Sequence, residues 1–113
     1  FMITGPGSPS VLTNMPRAIE QHAEWITNCM NHCDEVRAMT IEAENTAVLN
    51  WTDHVTAVAN QTLLPKANHS WYFGGNIPGK PRTFMPYSAG LDKFSANCEQ
   101  IAKSGYIGFK TTQ

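Results

Sequence analysis

The chain has 113 residues, eight Lys and Arg against nine Asp and Glu, a formal net charge of −1, and 42% hydrophobic residues. That is enough for one domain with one modest core, and too apolar for a disordered segment. The scattered cations argue against nucleic acid as a partner, because phosphate neutralisation needs them clustered, and no apolar run approaches the ~20 residues that cross a bilayer. The opening "FMITGPGSP" lacks the basic lead and the long apolar stretch of a signal peptide. Three cysteines, Cys29, Cys33 and Cys98, are an odd set and a poor disulfide framework, which favours a reducing, cytoplasmic setting. The Asn-x-Ser/Thr triplets at Asn50, Asn60 and Asn68 would matter only in a secreted chain and are read as coincidental.

In chain order, Phe1 to Thr4 is a fully apolar run that reads as a buried strand with no lead-in, as though the chain were entered in mid-fold. "GPGSPS" follows as a tight loop. Asn14 as cap and Pro16 in the first turn open a helix. Its apolar stripe is Met15, Ile19, Ala23, Ile26, Met30 and Cys33, with Glu20, Glu24, Asn28, Asn31 and Glu35 opposite. "TIEA" is a short strand or an extended link. A second helix is expected from Asn45 or Thr46 to Thr62, with Val48, Trp51, Val55, Val58 and Ala59 inward and Pro65 marking its end. An irregular stretch from Pro65 to Lys80 precedes "RTFM", a possible strand. A third helix spans Leu91 to Ser104 with Leu91, Phe94, Cys98 and Ile101 inward and Gly105 just past its end. "YIGF" closes the chain as a strand or a docking tail. Alternating strands and helices favour a parallel sheet, but these strands are too few and short to complete one. The fold class is therefore an α/β fragment of three helices and a few short strands.

Several residue groups could carry chemistry. "GPGSPS" joins a strand to a helix N-terminus, where α/β proteins bind ligands, yet it lacks the third glycine of the dinucleotide fingerprint and reads as a tight connection. Cys29, His32 and Cys33 fall within one helical turn, but the second ligand pair of a zinc site is missing and both cysteines lie on the apolar face. His22 and Glu24 point in different directions on their helix, so His22 packs beside the core instead of pairing. No nucleophile motif and no Ser-His-Asp set appear. The long loop is different. Trp71, Tyr72 and Phe73 need burial against something. Gly74-Gly75 offers a hinge, and Lys80 and Arg82 suit an anionic ligand. Together they read either as a lid over a phosphorylated cofactor or as a packed surface loop.

"ITGPGSPSVLTNM" with "IEQHAEWI", then "SWYFGGNIPGKPR", "FMPY" and a terminal "GYIGF", resemble the C-terminal part of the Baeyer–Villiger monooxygenases, from Phe1 to Phe109. The resemblance implies a much longer parent with FAD and NADPH domains that inserts an oxygen atom from O2 into ketones to give esters or lactones. Residues 1–64 would complete the FAD domain, 65–89 would be a mobile control loop, and 90–113 a closing helix and tail. Ser10, Val11 and Leu12 would line the ketone pocket, Met15 would lie near the flavin, and Trp71 and Lys80 would contact NADP. Gly75 stands where alanine is common in the family. The GxGxxG fingerprints and the arginine of the active centre would lie upstream. No catalytic residue and no metal ligand is then expected in these 113 residues, which alone would be inactive and would need the upstream part of their own chain. The alternative is a small non-catalytic α+β module that binds a ligand or self-associates through unpaired strand and apolar faces.

Overall fold

A computed structural model describes residues 1–113. Its elements are α1 (Met15–Glu35), β1 (Thr40–Ala43), α2 (Asn45–Ala59), α3 (Leu91–Lys103) and β2 (Phe109–Thr112), with single 3-10 turns at Ser10–Leu12, Leu64–Lys66 and Trp71–Phe73.

α1 starts where its cap and proline predict. Asn14 Oδ1 accepts the N–H of Arg17 at 3.2 Å, and Pro16 occupies the first turn. Asn14→Ala removes that acceptor and lowers stability by about 1 kcal/mol, read as a lower urea midpoint with an unchanged slope. The inward stripe differs from the one expected. Ala18, His22 and Cys29 are buried with Trp25 half-buried, whereas Ala23, Ile19 and Met30 lie exposed. α1 is rotated because Trp25 is anchored twice: its Nε1 donates to the Cys98 carbonyl at 2.8 Å, and its ring meets Tyr106 edge-on at 5.3 Å. Periodicity alone sees the whole apolar arc, and the indole decides which half turns inward.

The sheet is antiparallel, not parallel. β1 pairs with β2 in the register Thr40↔Thr112 to Ala43↔Phe109. Gly105 (φ 71°) follows α3, and Gly108 (φ 88°) sits just before β2. These left-handed positions return the chain toward β1 in the opposite sense. A Thr40–Thr112 hydroxyl bond and a Lys110–Glu42 ion pair at 3.0 Å decorate the ribbon; both are exposed, so they add little.

Two other expected strands are absent. Phe1 to Thr4 is irregular, and Phe1 and Met2 are about 70% exposed, because the one sheet pairs its two strands with each other and none lies beside this run. "RTFM" is extended without joining a sheet. It serves instead as a tether: Thr83 and Met85 donate backbone N–H groups to Phe73 and Tyr72, Met85 accepts from Gly7 at 2.7 Å, and Tyr87 donates to Ser8 at 2.7 Å. α2 ends three residues before the expected Thr62, whose hydroxyl donates to the Ala59 carbonyl at 2.7 Å and turns the chain.

The core lies between α2 and this tethered loop. Val55, Ala59, Phe73, Phe84 and Tyr87 are buried together, flanked by Leu12, Trp51, Tyr72 and Phe94. Trp51 stacks on Tyr87 with centroids 5.3 Å apart. Phe73 and, in part, Tyr72 thus find the burial that their composition demands, whereas Trp71 stays exposed.

Candidate functional site

The turn before α1 is held in an unusual backbone. Gly7 has φ 81°, and a Cβ there would meet Trp51 Nε1 at 2.8 Å; that same Nε1 donates to the Gly7 carbonyl at 3.0 Å. Only glycine lets the backbone approach the indole so closely. Thr4 (φ 55°) and Ser10 (φ 46°) are left-handed without being glycine, a strain of roughly 1–3 kcal/mol each that persists only where surroundings over-determine it. The turn that carries them is held at several points: Thr4 N–H donates to His22 Nδ1 at 2.9 Å, Ser8 Oγ donates to the Gly5 carbonyl at 2.7 Å, and the tether bonds both Gly7 and Ser8.

The long loop supplies the other side. Ser70 Oγ accepts the Tyr72 N–H at 3.2 Å and caps the Trp71–Phe73 turn, which Gly74 ends at φ 70°. Phe73 turns inward onto Phe84 with centroids 4.9 Å apart, while Trp71 stays 54% exposed with only an edge contact to Tyr72 at 4.5 Å. The aliphatic stem of Lys80 lies on Gly74, where a Cβ would meet Lys80 Cδ at 2.9 Å. Its ammonium makes no hydrogen bond or ion pair, and neither does the Trp71 indole N–H.

Arg82 departs from the expected anion-binding role. Its guanidinium donates to the carbonyls of Asn68 (3.2 Å), Ala67 (3.3 Å) and Pro65 (3.5 Å) and lies 4.8 Å over the Phe73 ring. Three convergent carbonyls and an aromatic face satisfy the fork internally, leaving Lys80 as the free cation. The Gly74-Gly75 pair is packed in this structure. Gly75 N–H donates to Ser70 at 3.1 Å, and a Cβ on it would press on the Asn68 carbonyl at 3.1 Å.

Ser10, Trp71 and Lys80 come together around one depression of about 330 Å³, with Thr4, Gly5 and Gly74. Val11, Leu12 and Met15 are not part of it: Val11 is exposed, Leu12 packs on the core, and Met15 is half-buried at the start of α1. A second depression of about 340 Å³ lies between the N-terminal ends of α1 and α3, lined by Asn14, Arg17, Gly90 and Lys93 among others. Of the Cys29–His32–Cys33 group, Cys29 is fully buried and its thiol pKa is pushed up to about 11 by burial and by the neighbouring Cys33, while the His32 ring lies tilted against Tyr106 with centroids 4.8 Å apart. Thr4 and His22 are the participants that sequence reasoning missed. A β-branched residue directly before Gly-Pro-Gly is the only trace of Thr4, and the 18-residue separation between the two hides the bond.

No protein-family model matches the chain. It is 39% identical over 109 residues to a cyclohexanone 1,2-monooxygenase of an Acinetobacter species, covering 94% of this chain and 20% of that protein. A closed crystal structure of cyclohexanone monooxygenase superposes with a TM-score of 0.91 at 37% identity over 100% of this chain and 21% of that one. OTEMO in complex with FAD and NADP gives a TM-score of 0.85 at 27% identity, over 99% and 20%. The chain spans about a fifth of the length of the relatives it matches. It is homologous to part of the flavoprotein monooxygenases. Within that class its relatives are named as cyclohexanone and Baeyer–Villiger monooxygenases, and its fold matches the C-terminal part of the cyclohexanone monooxygenase structures.

Proposed function

We propose that this chain serves as a segment of an FAD- and NADPH-dependent Baeyer–Villiger monooxygenase that inserts one oxygen atom of O2 into a ketone to give an ester or lactone, in the cytoplasm. The observation that carries this reading is the convergence of Ser10, Trp71 and Lys80, from distant parts of the sequence, on one depression. The donor set fits a dinucleotide phosphate: an exposed indole with a free N–H for the aromatic and sugar portions, and an unpaired ammonium for phosphate. Trp71 and Lys80 are assigned to NADP, Ser10 and Val11 to the ketone pocket, and Met15 to the flavin. Leu12, with its side chain in the core, shapes that pocket through the turn it anchors. When bound, NADPH supplies electrons to the flavin and the flavin activates O2. The residues of this segment bind, orient and exclude water, and none of them moves a proton in the reaction.

In this reading residues 1–64 complete the FAD domain, 65–89 form the control loop, and 90–113 close the structure. The exposed Ile19, Met30 and Met2 favour a covering surface, here the remainder of the parent chain. The test is the purified parent polypeptide offered cyclic and linear ketones. Its NADPH oxidation is expected to depend on ketone, with one ester or lactone formed per NADPH and O2 consumed. A parent that retains no flavin sinks the reading.

A further inference from the structure

His22 is a buried imidazole that the cofactor assignment leaves unused. It sits on the inner side of α1 with its ring against Phe94 of α3, centroids 5.4 Å apart. Its Nδ1 accepts the Thr4 N–H at 2.9 Å, and Thr4 is a β-branched residue at φ 55°, a conformation that needs outside support. Thr4, Gly5 and Pro6 line the same depression as Trp71 and Lys80. An acceptor needs a free lone pair, so Nδ1 must be unprotonated and the ring proton must sit on Nε2, which is buried without a partner. A proton on Nδ1 would set one N–H donor against another.

We propose that His22 is a positioning residue for this depression: its neutral Nδ1 holds Thr4 in the left-handed conformation and so fixes the Thr4–Pro6 wall, and protonation of the ring releases that wall. No charged side chain faces the imidazole to offset the change. α3 presents Phe94, with Cys98 one turn on as an uncharged thiol, and Asp92, Lys93 and Glu99 are exposed; the N-terminal turn presents only the Thr4 amide; on α1 itself Arg17, Glu20 and Glu24 point to solvent. Burial holds the imidazole pKa below its ordinary 6.5. The unfolded chain therefore takes up the proton first as pH falls through 6.5, so the stabilising bond is fully present above that value and is lost on the acid side.

The effect on ligand rests on the assignment of the depression to NADP, whereas the hydrogen bond does not, and the experiment separates the two. In the intact enzyme carrying this chain, labelled with 15N-threonine, the Thr4 amide is followed against pH while NADP+ binding is measured by calorimetry at about pH 7.5 and again below the midpoint of the Thr4 titration. The Thr4 resonance is expected to shift in one step below pH 6.5 in the wild type and to stay still in His22→Gln, which keeps an acceptor but does not titrate. The acid-side loss of NADP+ affinity is expected to be about 3–10-fold greater in the wild type than in His22→Gln; titration of the ligand's own phosphate is common to both. A Thr4 amide indifferent to His22 titration overturns the proposal, and this needs no variant to fold. A Thr4 shift with equal acid-side losses in both proteins overturns the positioning role. A Thr4 shift with no NADP+ binding at either pH supports the pin and removes the dinucleotide assignment instead.

Discussion

On the proposed assignment of Trp71 to NADP, Trp71→Ala in the parent enzyme is expected to raise the KM for NADPH by about 30-fold, with a melting temperature close to that of the wild type. The two halves of that outcome have separate causes. A large aromatic at the centre of a binding surface is worth about 2 kcal/mol or more on truncation. Against that, the ring is 54% exposed and meets the fold only at the edge of Tyr72, so little packing disappears with it. If its partner belongs to the ligand, as proposed, the loss is expected in cofactor retention and in NADPH oxidised without product. Steady-state kinetics with product quantified alongside NADPH reads both. An unchanged KM would refute the assignment of Trp71 to NADP.

Phe84→Ala lowers stability by about 3–5 kcal/mol, a large share of what a domain of this size has. Phe84 is 4% exposed and lies against Phe73 at 4.9 Å and Tyr72 at 6.2 Å between ring centroids. The cavity therefore opens directly beneath the turn that carries Trp71. Backbone bonds from Thr83 and Met85 to Phe73 and Tyr72 keep the turn attached to the same segment, so it cannot collapse freely into the void. Urea unfolding followed by tryptophan fluorescence measures the loss. Phe84→Leu, which keeps most of the volume, is expected to recover more than half of it. Equal losses in both variants would mean that ring shape, not filled space, supports the turn.

The helices were legible because they rest on local signals. Asn14 and Pro16 mark the start of α1, the apolar spacing of α3 survives intact as Leu91, Phe94, Cys98 and Ile101, all half-buried, and Gly105 stands where a left-handed residue follows the helix. The rotation of α1 was not legible, since Trp25 takes its partners from Cys98 and Tyr106, more than 70 residues away. Strand assignments failed wherever an apolar run had no continuous ladder to join. Phe1–Thr4 has no strand beside it, and Arg82–Met85 gives its backbone bonds to the turns at Gly7, Tyr72 and Phe73 instead of to a second strand. An indole and a cation beside glycines drew notice to Trp71 and Lys80 in the sequence, and the structure lines one depression with both, although the indole is exposed where burial was expected. Arg82 looked the same in sequence and differs only because three carbonyls converge on its guanidinium.

The β1–β2 ribbon has a consequence for the order of assembly. Pairing Thr40 with Thr112 closes a ring of about 70 residues that contains α2, the long loop and α3, and closing so large a ring is entropically unfavourable before its contents have compacted. Four paired residues a side, most of them exposed, offer little in return. The ribbon is thus the last piece to zip and the first to fray, and the amides of Phe109 to Thr112 should exchange with solvent long before those of α2, making the tail a sensitive gauge of whether the ring it seals is intact.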